Sequence, residues 1–147
     1  MLQFITIEST GTGFLLDPSA YLAKLPEIAA ALPPGARRFA SDPAHYDFHD
    51  EHCVKDLKVH RLAVTHPPEG LAVELVLRWN EVSDEILTLS YRQVSQLRLD
   101  GEAGRLGPVQ LDETLPVPGG CTHTIQLIAG VVAVTCADFE AVWGRLG

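Results

Sequence analysis

The sequence predicts an α+β fold in which an N-terminal strand and short helices pack on a mainly antiparallel sheet of about six strands, able to curl toward a sandwich. Three observations carry that expectation. A compositional seam lies near residue 53, with a helical stretch and a histidine-rich run before it and strand-like segments after it. Between residues 22 and 32 apolar side chains recur at helical spacing. Beyond residue 57, apolar and polar residues alternate with the period of two that marks a sheet with one wet face.

Residues 2–7 alternate and hold aromatic and β-branched side chains, so a short strand is expected there. Gly11-Thr12-Gly13 breaks it. Asp17-Pro18 reads as a helix N-cap followed by proline at the first helical position. Leu22, Leu25, Ile28, Ala29 and Leu32 then form an apolar stripe. Pro26 lies inside that stripe and lacks an amide donor, which predicts a kink or two short helices in tandem. Pro33-Pro34-Gly35 ends the segment, and residues 37–53 show no clean period beyond one turn at Asp42-Pro43.

After the seam, residues 57–65 and 71–80 are expected to pair across His66-Pro67-Pro68-Glu69-Gly70. Leu71, Val73, Leu75, Leu77 and Trp79 share one face of the second strand, so Trp79 is expected to be buried with the others. Residues 85–91 return across a polar loop, and 94–100 continue or bend that strand. A further strand is expected at 109–115, and a closing hairpin at 122–129 and 131–137. The division is therefore one domain over 1–147, with a strand, helical segment and polar loop in 1–53 and a β region in 54–147.

Nineteen acidic and eleven basic residues give a net charge of −8. Nucleic-acid binding needs a basic stripe to displace counterions, so that class is set aside, as is an anionic membrane surface. The charge suits a basic protein partner, and it equally suits plain solubility. No apolar run reaches the roughly 18 to 20 residues of a membrane span. The N-terminus has no basic n-region with a long apolar run behind it, and three cysteines do not form a disulfide framework. The cytoplasm is the expected compartment. Eight arginines against three lysines, with frequent Ala, Leu, Gly and Pro, suggest a GC-rich bacterial genome.

Two constellations have metal-ligand chemistry. His45, His49 and His52 are four and three residues apart, with Cys53 adjacent. On a helix His45 and His49 would share a face, and imidazole with thiolate suits zinc. No helical period runs through the segment and the glutamate of a zincin motif is absent, so a solvated polar loop explains it with fewer assumptions. The second constellation follows from the closing hairpin. With Ala129-Gly130 as its turn, His123 faces Cys136 and Cys121 faces Asp138, which puts Cys121, His123, Cys136 and Asp138 on one face. The same face carries Ile125, Leu127, Val132 and Val134, so a packed thiol pair beside a rim histidine is the plainer reading. Neither constellation names catalytic residues, and no cofactor other than zinc is implied.

The ending, residues 125–139 with Trp143, resembles the closing hairpin of small acidic bacterial α+β domains, some of them toxin-neutralising immunity proteins. That resemblance implies a non-enzymatic cytoplasmic interaction protein, immunity-like toward a basic partner. The alternatives are a metal-binding protein or small metal-dependent hydrolase using the 45–53 segment, and a carrier of a small apolar ligand.

Overall fold

The computed structural model describes residues 2–146, and among them lie two α-helices and ten strands. In chain order these are β1 (Thr6–Ser9), β2 (Phe14–Asp17), α1 (Ser19–Ala31), α2 (Pro34–Ala40), β3 (Lys58–Thr65), β4 (Ala72–Arg78) and β5 (Glu85–Arg92). There follow β6 (Gln96–Gly101), β7 (Val109–Val117), β8 (Gly120–Leu127), β9 (Gly130–Cys136) and β10 (Asp138–Arg145). All pairings are antiparallel, in a ribbon β1-β2 and two four-stranded sheets ordered β10-β5-β4-β3 and β6-β9-β8-β7.

The expectation of about six strands in one sheet is corrected by this layout, which is mixed α/β, mostly sheet, and divided among three sheets. Two strands had not been expected. β2 begins directly after the Gly11-Thr12-Gly13 break, and β10 runs past the expected end of the sheet. Residues 85–100 do not form one strand in one sheet. Gln93 takes a left-handed φ of 51° between β5 and β6, and the chain passes there from one sheet to the other. Beside it, at Ala137, the chain passes between the same two sheets from β9 to β10, and the Ala137 amide donates to the Arg92 carbonyl at 3.1 Å. The sheets meet again at Leu57 and Val109, where Asp56 N donates to the Val109 carbonyl and Val109 N to the Leu57 carbonyl.

Pro26 does not split α1, which stays helical through it. Pro18, not Asp17, is the residue before the first turn, while Asp17 accepts the Ser19 amide at 2.9 Å. α2 had no signal of its own beyond Pro34 in its first turn. Its Gly35 and Ala36 amides both donate to the Asp138 carboxylate at 2.9 Å, a cap supplied from a hundred residues away. Gly35 is required there, since a Cβ would meet the Phe139 carbonyl oxygen.

The core joins both large sheets and both helices. Leu75, Leu77, Leu87, Leu89, Tyr91 and Phe139 pack with Ile125, Leu127, Val132, Val134, Tyr21 and Phe39. Trp79 corrects the expected row: it follows the last residue of β4 and is 38% exposed, while Leu75 and Leu77 are fully buried.

The closing hairpin turns at Ile128 and Ala129, so Cys121 faces Cys136 and His123 faces Val134. The expected register is therefore off by two residues. A slip of two keeps every side chain on its face, and Cys121, His123 and Cys136 all point inward. Gly130 is not the turn. It pairs with Gly101 of β6, and a Cβ built there would come within 2.5 Å of the Asp100 carbonyl oxygen.

Candidate functional site

At the heart of the protein lies a chain of polar groups sealed from solvent. Asp112 of β7, 1% exposed, sits between two imidazoles. Its Oδ1 is 2.7 Å from His45 Nε2, and its Oδ2 is 2.7 Å from His123 Nε2. His123 Nδ1 lies 2.7 Å from the Tyr91 hydroxyl, and His45 Nδ1 lies 2.8 Å from the Phe39 carbonyl oxygen. His45 is brought in by the loop after α2, His123 by β8 and Tyr91 by β5, so three parts of the fold must assemble before the network closes.

Donor and acceptor bookkeeping assigns the protons. A carbonyl only accepts, so His45 Nδ1 carries hydrogen. An ionised carboxylate only accepts, so His45 Nε2 carries hydrogen as well, and the ring is an imidazolium. His123 donates from Nε2 to Asp112, and as a neutral ring it would accept the Tyr91 proton at Nδ1. One cation then balances one anion, and each of these bonds has one donor. Burial on its own would push the His45 pKa down, but the Asp112 charge and hydrogen bond outweigh it and the pKa is raised. Burial would likewise raise Asp112, yet the His45 charge and bonds from both imidazoles hold its carboxyl well below the usual range.

Rings enclose the network. Tyr46 stacks on His45 at 4.2 Å and 7°, and Phe139 stacks on His123 at 5.0 Å and 6°. Tyr46 also donates its hydroxyl to the Asp112 carbonyl, and Tyr21 donates to the Thr114 carbonyl, both at 2.7 Å. Burial raises the pKa of both phenols. A neighbouring buried carboxylate, Glu113, accepts the amides of Gln3, Phe4 and Ile5 and ties the N-terminal segment to β7.

The four residues of the 45–53 segment do not converge. His45 is committed to Asp112 and Phe39. His49 is exposed. His52 donates to Glu85 Oε1 at 2.7 Å and stacks on Trp143 at 4.5 Å. Cys53 is buried, donates to the His45 carbonyl at 3.1 Å, and has its pKa raised by burial. The second constellation also divides. Cys121 and Cys136 are free thiols with sulfurs 3.9 Å apart, and that hydrogen bond, then burial, raises the Cys121 pKa. His123 belongs to the Asp112 network. Asp138 lies in the other sheet, capping α2 and meeting Arg92 at 3.2 Å. Burial works against its charge, but three backbone amides and Arg92 hold its pKa down. Among the described residues, no three His, Cys, Asp or Glu side chains are grouped so as to hold a metal ion.

Sequence reasoning missed Asp112 and Tyr91 as members of one network with His45 and His123. Asp112 lies on the polar side of a strand that reads as alternating, which signals a solvated carboxylate. The structure covers both faces of β7 from Val109 to Thr114.

Above the network opens a cleft of about 150 Å3 between α2, the 41–52 loop and β10, lined by Phe39, Asp42, His45, His52, Glu140 and Trp143 among others. His45, 2% exposed, is the member of the network that lines this cleft. Compared with protein-family models, curated proteins and solved structures, the chain finds no match. No helix among the described residues is long and apolar enough to cross a membrane.

Proposed function

We propose that this is a non-enzymatic interaction protein of the bacterial cytoplasm, immunity-like in that its acidic face engages a basic protein partner. The observation that carries the reading is the loop over residues 41–53. It holds Asp42, Asp47, Asp50 and Glu51 with no lysine or arginine, and Phe48 stands 41% exposed in its midst. Short side-chain-to-backbone bonds fix the loop: the Asp42, Asp47 and Asp50 carboxylates each accept an amide two residues on, from Ala44, His49 and His52. A charged rim around one exposed aromatic anchor is the composition of a protein interface. The groups best suited to acid–base work, Asp112 and His123, are at most 1% exposed and already bonded to each other, which favours a binding role.

The test is the binding of a fluorescent oligo-arginine peptide, followed by anisotropy. Wild type is expected to bind it with an affinity that falls as salt rises. Replacing Asp47 and Asp50 by Asn and Glu51 by Gln should weaken that binding several-fold. Equal binding by the neutralised variant would reject the reading.

A further inference from the structure

We infer that the cleft between α2 and β10 is a receptor for one arginine side chain of the basic partner. The inference rests on the acidic-face reading and places a specific pocket within it. The other charges on the cleft wall are already matched. Arg38 grips Glu140 through both carboxylate oxygens at 2.9 Å, and Arg92 approaches Glu140 at 3.9 Å. His52 donates to Glu85, and the His45 charge is met by Asp112 beneath it. Asp42 is what remains. Its Oδ1 accepts the Ala44 amide, and among the described residues no cation is bonded to it.

The remaining wall carries the half-buried Trp143, on which His52 already stacks, and the buried Phe39. A carboxylate without a counter-ion beside a partly exposed indole selects a cation carried on an apolar stem. Arginine fits better than lysine because the planar guanidinium stacks on rings while donating in its plane to a carboxylate. The cleft's roughly 150 Å3 is of the order of a cavity that takes up a benzene molecule, so it has room for a planar guanidinium. The position also suits the partner reading, because Asp42 is the first acid of the same loop that carries Phe48.

The experiment uses two probes, N-acetyl-arginine methylamide and its uncharged isostere, N-acetyl-citrulline methylamide. Trp79→Phe leaves Trp143 as the single tryptophan of the chain, so its emission reports on the cleft. The arginine probe should change that emission saturably at millimolar concentration, and the citrulline probe should not. Asp42→Asn keeps an oxygen for the Ala44 amide and should weaken arginine binding several-fold without a change in melting temperature. Equal response to both probes, or an unchanged arginine affinity in Asp42→Asn, overturns the assignment.

Oligo-arginine binding separates the two readings. If the peptide loses affinity on neutralising Asp47, Asp50 and Glu51 but not on Asp42→Asn, the acidic face stands and the cleft is not a receptor. If neither change matters, both readings fail. If Asp42→Asn weakens the peptide and the arginine probe together, the receptor is supported.

Discussion

Asp112→Asn is the sharpest probe of the buried network. The substitution keeps size and shape and removes one charge. Asparagine can accept from one imidazole, but its amide group then presents hydrogens to the other. His123 can adapt by moving its proton to Nδ1 and turning the Tyr91 hydroxyl. His45 can answer only by giving up its Nε2 proton and accepting from the amide, because the Phe39 carbonyl holds its Nδ1 proton and its charge loses the only anion bonded to it. Leaving a buried charge without its partner costs about 3–5 kcal/mol. Neutralisation of His45 relieves part of that cost and places the expected value at or below the lower end, about 2–3 kcal/mol. That is a sizeable share of the roughly 5–15 kcal/mol by which a domain is stable.

Urea unfolding at pH 5.5, followed by far-UV circular dichroism, would measure the loss. A fall below about 1 kcal/mol would refute the assignment of His45 as a buried imidazolium paired to Asp112, since only a screened surface pair is worth so little. The variant should also lose the pH dependence that the pair imparts. A full-sized loss with that dependence intact would point to packing rather than charge.

In wild type the pH window follows from the two shifts. The raised His45 contributes stability in full below its ordinary value of 6.5 and loses it as pH climbs through the higher folded value, so melting temperature should decline on the alkaline side. The lowered Asp112 contributes in full above its ordinary 3.8 and loses it as pH falls toward the folded value, so a second decline is expected in acid, with a plateau between. Trp79→Ala should change the urea midpoint little, whereas Leu75→Ala, at a fully buried position, should cost about 2–5 kcal/mol; similar losses would show that the end of β4 is more enclosed than 38% exposure implies. Cys53, Cys121 and Cys136 are all buried and unpaired, so a thiol reagent should react slowly with native protein and count three thiols after denaturation without reductant; a count of one would reveal a disulfide.

What the sequence disclosed, and what it hid, divide along one physical line. The faces of β4, β8 and β9 were legible because alternation is local: Val73, Leu75 and Leu77 point inward as their spacing requires. The register of the last hairpin was missed because Gly130 reads as a turn residue, while its actual duty is to admit β6 at close range. α2 carried little helical pattern, since its cap comes from Asp138. The buried network was hidden for the same reason. His45 was weighed against His49 and His52 beside it, yet its partner Asp112 is 67 residues away. Local spacing offers neighbours on the chain, and the fold chose a partner that only the packing of the loop after α2 against β7 supplies.

The crossing at Gln93 and Ala137 has a consequence for how the molecule comes into being. β5 and β6 form one stretch of chain, β9 and β10 another, and each stretch serves both large sheets. Until the segment from Gly130 to Arg145 is present, β8 lacks its β9 neighbour, β6 has no partner at all and β5 lacks its outer strand. On the ribosome, neither sheet can therefore be finished ahead of the other. The earlier strands must wait with open edges until the closing pair arrives, and both sheets then complete in a single event. Such late, sequence-distant pairing favours slow folding, and the waiting edges are where a nascent chain is most exposed to aggregation and most in need of a chaperone.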